Sequence, residues 1–256
     1  MPKPKIAKMA KLIMLATTLS LSAFSLNAQA KLTSITTSDG TELVYSSVSD
    51  VTWTKDANLL GTWFMSSTDA DGNGTTDIID AIVQATYNAV PSYLLPILKP
   101  QIDQYVNAAA FNDIGTATWY GANAFVTYLN SINYGGSNQW YLPSHANNGA
   151  EFAELFYDEF SGIAFSNIPN TNTFDNEQFG EYWLGTQYSS MNPDLAFVFD
   201  TGIGLQSDQF KNRQSFVWAV TPGRISAVPE PESVVMMLVS LGLMAGVVRR
   251  KQKSFA

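Results

Sequence analysis

The chain has 256 residues, with 14 Lys and Arg against 22 Asp and Glu, one histidine and no cysteine. Without thiols there are no disulfides, thiolate metal sites, iron–sulfur clusters or cysteine nucleophiles, and the single His145 excludes any multi-histidine metal centre. The basic residues gather at the two ends, so residues 31–228 hold six Lys and Arg and twenty Asp and Glu, a net charge of −14. Such a surface repels phosphate backbones and anionic lipid, which argues against nucleic acid as a partner and for divalent cations or neutral glycans.

At the N-terminus, Lys3, Lys5, Lys8 and Lys11 precede an apolar run from Leu12 to Leu26, and Ala28-Gln29-Ala30 supplies a small-x-small cleavage pattern. Residues 1–30 are therefore predicted to be a signal peptide, removed by signal peptidase after Ala30. An uncleaved N-terminal anchor is the alternative.

The body opens with apolar and polar residues alternating around Asp39-Gly40, a dipeptide suited to a tight hairpin, so two or three strands are expected before residue 60. Then comes STDADGNGTTDIID. Asp69, Asp71, Asn73, Thr75, Asp77 and Asp80 stand at positions 1, 3, 5, 7, 9 and 12 of a twelve-residue loop, with Gly74 at position 6. Calcium takes six to eight hard oxygen ligands, and a chain curling round the ion presents them at alternate positions, the glycine permitting the sharp bend. The stretch resembles an EF-hand or dockerin loop, which implies a Ca2+ site on those six residues. Two positions depart from the pattern: Asp80 replaces the usual bidentate Glu, and Thr76 the usual apolar residue. The competing reading is an acidic surface turn that binds nothing.

A helix is predicted to leave the loop with Ile78, Ile79, Ile82, Val83, Tyr87 and Val90 on one stripe, whereas no helix is predicted to enter it. Pro91, Pro96 and Pro100 then favour short helices or a helical hairpin, and residues 62–115 read as an insertion. Thr118 is placed to cap a helix with Trp119, Ala122, Phe125, Val126 and Leu129 buried. A second amphipathic helix has Phe152, Leu155, Phe156 and Phe160 on its apolar face, with Glu151, Glu154 and Asp158 on a solvated one. EYWLGT, DLAFVFD, GIGLQS and SFVWAV follow as an expected antiparallel meander.

The chain ends VPEPESVVMMLVSLGLMAGVVRRKQKSFA. Pro229 and Pro231 prevent a helix through them, so one restarts at about Val234. The fifteen uncharged residues from Val234 to Val248 would span roughly 22 Å as a helix, short of a ~30 Å hydrocarbon core. Arg249, Arg250, Lys251 and Lys253 resist translocation and mark the cytoplasmic side. The order Val228-Pro229-Glu230-Pro231, apolar helix, Arg249-Arg250-Lys251 resembles the PEP-CTERM sorting tail of Gram-negative bacteria that make exopolysaccharide. That resemblance implies, over residues 227–253, an exosortase substrate anchored in the inner membrane, cut near the Pro-Glu-Pro element and passed to the envelope or surface. A plain C-terminal anchor is the alternative.

Between the two ends, a second resemblance covers most of residues 45–223. It rests on Val51-Thr52-Trp53-Thr54 with Asp56-Ala57-Asn58, the helix from Thr118-Trp119 to Leu129-Asn130, Gly135-Gly136, Trp140-Tyr141-Leu142-Pro143-Ser144, and the helix start Glu151–Phe156. Tyr182-Trp183-Leu184-Gly185-Thr186 and Phe216-Val217-Trp218-Ala219-Val220 with Pro222-Gly223 complete it. Together these are similar to the Lcl-type C-terminal domain, often found with PEP-CTERM tails. Over residues 31–226 the likeness implies an α+β, C-type-lectin-like fold, two helices flanking antiparallel strands, related distantly to formylglycine-generating proteins. Those relatives depend on paired cysteines, which this chain lacks. The family usually shows Trp-Arg-Leu-Pro where Trp140-Tyr141-Leu142-Pro143 stands, so any ion pair made by that Arg is missing. Trp140, Trp183 and Trp218 are expected in the core, with sugar stacking as the other use of such rings.

Function read from these features is non-catalytic: a surface-destined binding or structural protein contacting polysaccharide or matrix. An envelope hydrolase acting on glycans is the alternative. It would need two facing carboxylates, for which Glu151, Glu154, Asp158 and Glu159 are candidates by type, or His145 as a base.

Overall fold

A computed structural model describes residues 32–145, 151–166, 168 and 171–226. The expected leader, the tail helix with its Arg249-Arg250-Lys251 flank, and the Val228–Pro231 element lie outside the described residues. Among the described residues no helix is long and apolar enough to cross a membrane.

The protein is α+β. The strands β1 (Leu32–Thr36), β2 (Glu42–Ser46) and β3 (Val51–Thr54) form an antiparallel run with β9 (Val220–Pro222), in the order β1-β2-β3-β9. The first hairpin turns at Asp39-Gly40, where Gly40 takes φ +84° and the Asp39 carboxylate accepts from Thr41 N–H at 3.0 Å. A second sheet has the order β4-β8-β5-β6-β7, built from β4 (Thr116–Ala117), β5 (Glu181–Gln187), β6 (Leu195–Asp200), β7 (Leu205–Phe210) and β8 (Ser215–Phe216).

The expected meander holds for β5, β6 and β7 and fails after them. The SFVWAV run is not one strand: β8 pairs parallel to β5 and antiparallel to β4, and the chain then passes to the other sheet as β9. Trp218 is the reason. Its ring is fully buried, and its indole N–H donates to the Thr54 carbonyl at 2.9 Å, which draws the chain from one sheet to the other between β8 and β9.

Among the described residues five α-helices complete the architecture: α1 (Leu59–Ser66), α2 (Asp77–Ala89), α3 (Leu95–Tyr105), α4 (Trp119–Ser131) and α5 (Glu151–Glu154), the last continuing as a π turn over Leu155–Glu159. Strand residues alternate between two buried clusters, as the two-residue period of a strand dictates. On β5, Trp183 joins the cluster containing Phe125 and Leu129 of α4, while Tyr182 and Leu184 join the one containing Phe152 and Phe156. Val198 and Phe199 of β6 divide the same way. The sheets therefore carry helices on both faces.

α4 buries Ala122, Phe125, Val126 and Leu129 as expected, while Trp119 is only half-buried, and the Thr118 hydroxyl caps the helix by accepting from Gly121 N–H at 3.1 Å. Within the segment expected as an insertion, α2 lays Ile79 and Ile82 into the same cluster as Phe125 and Leu129. α3 is a single helix that carries Pro96 in its first turn, where no N–H is needed, and Pro100 in its interior. It buries none of its residues completely.

Two further expectations fail. A helix does enter the acidic loop: α1 ends at Ser66, held by Trp63, whose ring meets Phe125, Tyr128 and Tyr134 edge-on at 5.8, 6.0 and 5.4 Å. The expected solvated face of the second amphipathic helix is also wrong for Glu151, which is only 6% exposed, because Tyr141 and Ser144 close over its carboxylate.

Glu159 ends the π turn with both carboxylate oxygens hidden from solvent and no hydrogen bond of normal geometry reaching them. Burial pushes its carboxyl up from 4.5 to about 7; the nearby Ser46 hydroxyl opposes the rise, and the Glu154 and Asp158 charges add to it. The folded state thus keeps a proton that the unfolded chain releases near 4.5, so this contribution to stability is complete below that pH and is lost as pH rises to about 7. Glu159→Gln, which mimics the protonated acid, should match the wild-type thermal midpoint at pH 4.5 and exceed it by a few degrees at pH 8. Equal offsets at the two pH values in scanning calorimetry would contradict this.

Candidate functional site

The acidic loop lies between α1 and α2. Asp77, at its ninth position, opens α2 but turns its carboxylate back, accepting from the Thr68 hydroxyl at 2.7 Å and from Ala70 N–H at 3.0 Å. These bonds hold its carboxyl below the usual range, the Thr68 contact having the largest effect. Asp77 closes the loop rather than facing its centre.

The other five residues converge. Asp69 accepts from the backbone N–H groups of Asn73 and Gly74, at 3.1 and 3.0 Å, which curls the chain around its carboxylate. The Asn73 amide donates to both Asp71 and Asp80, at 3.1 and 3.0 Å, and the Thr75 hydroxyl reaches the second oxygen of Asp80 at 2.6 Å. The Asn73 side-chain carbonyl is turned to Thr75, accepting from its N–H at 2.8 Å. Gly72 and Gly74, at φ +72° and +89°, allow the bend. Among the described residues, no three Asp, Glu or His side chains are gathered closely enough to hold a metal ion. The donors are hard oxygens, as calcium requires, yet the centre between Asp71 and Asp80 is spanned by an Asn73 N–H2 group.

The second group of sequence-derived candidates lies at the start of α5. Glu151 accepts from Ser144 N–H at 2.8 Å and from the Tyr141 hydroxyl at 3.1 Å. The Tyr141 hydroxyl thus reaches a carboxylate that it can only hydrogen-bond; burial pushes its phenol far up, with Glu151 adding to the effect. Glu151 joins the Trp140–Ser144 segment to α5. Beside it a hollow of about 380 Å³ is lined by Asp50, Tyr141, Glu151 and Glu154, and burial raises the Glu154 carboxyl, helped by the charges of Glu151 and Asp158. Asp158 itself is exposed.

His145 stacks on Phe197 at 3.8 Å between ring centroids, and burial lowers its imidazole below its ordinary value. The tryptophan rings offered as sugar platforms are unavailable: Trp140, Trp183 and Trp218 are 3, 0 and 0% exposed. Their indole N–H groups instead donate to backbone carbonyls of Tyr134, Ala117 and Thr54.

Asp56-Ala57-Asn58 has a structural use that spacing did not reveal. The Asp56 carboxylate accepts from Asn58 N–H and from the Thr62 hydroxyl, at 2.8 and 2.6 Å, and Asn58 donates to the Ile114 carbonyl at 3.0 Å. Gly115, at φ +91°, lies so close to the Asn58 side chain that any Cβ there would overlap it. The start of α1 is thereby pinned to the turn before β4.

A search of curated proteins finds no match to the chain. The sequence profile of the PEP-CTERM protein-sorting motif matches residues 227–252, the tail that follows β9. That motif points to exosortase-dependent sorting of an exported protein, held in the membrane before processing and surface-bound after it.

Proposed function

We propose that this is a non-catalytic binding or structural protein of the bacterial surface, whose lectin-like body, residues 31–226, contacts extracellular polysaccharide or matrix. The observation that carries the reading is the PEP-CTERM motif at residues 227–252 behind a body of charge −14. A leader over residues 1–30 and a basic stop at Arg249, Arg250 and Lys251 would leave that acidic body beyond the inner membrane. The lectin-like assignment draws support from antiparallel sheets with helices on both faces, and from the Trp140–Ser144 turn locked to α5 through Glu151. Fold-level likeness does not by itself choose a ligand.

Calcium is the cofactor we assign, on Asp69, Asp71, Asn73, Thr75 and Asp80, with Asp77 closing the loop. Bound there, it would neutralise part of the acidic surface and fix the α1–α2 connection. The hydrolase reading keeps one favourable observation, the Glu154 carboxyl, raised by burial, at the rim of the Asp50–Glu151 hollow. Against it, Glu151 is already committed to Ser144 and Tyr141.

Mass spectrometry of the mature protein from its host should find an N-terminus at Lys31 and a C-terminus near Pro229; an intact Ala256 would mean a retained anchor and no sorting cleavage. Calorimetric titration should show calcium heat and a raised thermal midpoint, both lost in Asp71→Ala. The absence of heat in the wild type would retire the metal site. Release of soluble sugar from a polysaccharide that the protein does not retain would overturn the non-catalytic assignment.

A further inference from the structure

Four hollows among the described residues carry carboxylates. One is lined by Asp175 and Glu177, one by Asp39, one by Asp50, Glu151 and Glu154, and one by Glu42, Asp56 and Asp175. A hollow of about 250 Å³ between α3, the turn Ala108–Ala110, the start of α4 and the loop after β7 has none. Its wall is a pair of tyrosines, Tyr105 and Tyr120, with ring centroids 4.5 Å apart and planes 32° from parallel. Tyr105 is 42% exposed, so much of its ring surface remains open. Gln104 and Asn212 stand at the rim, both exposed.

The frame of this hollow is rigid while its rim is uncommitted. Asn107 caps the Ala108–Ala110 turn through its side-chain carbonyl, at 3.0 Å from Ala109 N, and donates to the Asp103 and Gln104 carbonyls. Thr118 is engaged in capping α4. Among the described residues, by contrast, no hydrogen bond within the protein involves the Gln104 or Asn212 side-chain amide or the Tyr105 or Tyr120 hydroxyl.

Behind the wall lies Lys211, only 5% exposed, with its ammonium 4.3 Å from the Trp119 ring and 5.9 Å from that of Tyr120. It donates to the Gln187 side-chain carbonyl at 2.8 Å. The Asp194 carboxylate acts through space on both Lys211 and Tyr120, so the buried ammonium balances this acid beside a hollow whose own lining holds no carboxylate.

Planar amides that both donate and accept, next to flat aromatic faces and without net negative charge, suit a polyol with an apolar face. A pyranose ring has that build: its axial C–H groups form one apolar surface and its hydroxyls ring the edge. The small volume fits a single ring, the rest of a polymer running over the surface.

We propose that the Tyr105–Tyr120 hollow is a glycan subsite that stacks one uncharged pyranose residue of a polysaccharide and holds its hydroxyls with Gln104 and Asn212. The proposal rests on the polysaccharide-binding reading above and gives it a location. It is independent of the calcium loop.

The test uses full-length protein on an array of neutral glucans, mannans and galactans, with uronic-acid polymers as the charged arm. Wild type should retain at least one neutral polymer. Tyr105→Ala should weaken that retention about tenfold, the size of one aromatic stacking contact. Gln104→Ala with Asn212→Ala, two exposed side chains whose loss leaves the core untouched, should weaken it several-fold at an unchanged thermal midpoint. Tyr93→Ala, a 75% exposed tyrosine elsewhere, should have no effect. Neutral-glycan retention that is equal in wild type, in Tyr105→Ala and in the Gln104→Ala/Asn212→Ala double variant would overturn the subsite and leave the polysaccharide reading standing. Retention of uronic-acid polymers alone would overturn the uncharged ligand class, and no retention of any polymer would overturn both proposals.

Discussion

The two sheets meet around the Trp218 ring, which packs against Trp53, with centroids 4.9 Å apart, and against Phe152 at 5.6 Å. Trp53 belongs to β3 of the first sheet, Phe152 to α5, and Trp218 to the crossing between β8 and β9. Phe174 and Tyr182 add further edge and tilted contacts to the same ring. A fully buried indole with a satisfied N–H combines a large apolar area with a fixed orientation, and truncating such a side chain typically costs about 3–5 kcal/mol. Here that energy is spent on joining two sheets that share few direct strand contacts.

That junction explains where the surface features lie. Because both sheet faces are covered by helices, ligand chemistry is left to the connections: the α1–α2 loop, the Trp140–Ser144 turn and the hollow between α3 and α4. Each connection is anchored to an element rooted in a core cluster. Ile79 and Ile82 root α2, Phe125 and Leu129 root α4, and Glu151 ties the Trp140–Ser144 turn to α5. The acidic loop thus sits on a fixed base, and so does Tyr120 at the head of α4.

Local rules made much of the fold readable. Thr118 and the stripe from Ala122 to Leu129 identify α4, Asp39-Gly40 the first hairpin, and the isoleucines after Asp77 identify α2, because each depends on neighbours within one or two turns. What escaped depends on partners distant in the chain. α1 has no clear period and is stabilised by Trp63 meeting residues of α4 and Tyr134. Glu151 looked solvated because its helical spacing placed it with Glu154 and Asp158, while Tyr141 and Ser144 reach it from the preceding loop. SFVWAV looked like a single strand because its composition is uniform, and only the burial of Trp218 shows why it divides. Of the candidate sites, the acidic stretch was legible as a loop leading into α2, but the turn of the Asp77 carboxylate away from the loop's centre, onto Thr68 and Ala70, was not. The Tyr105–Tyr120 pair was invisible, since its members sit on different helices with no shared pattern.

The central physical claim is that Trp218 makes one cooperative body of the two sheets. Hydrogen exchange measured on Trp218→Ala tests it directly, by comparing amides of β2 and β3 with those of β5 and β6. Protection should fall in all four strands together and by a similar factor. If β5 and β6 kept wild-type protection while β2 and β3 lost theirs, the sheets would be separately stable and the account of how this body is held together would be contradicted.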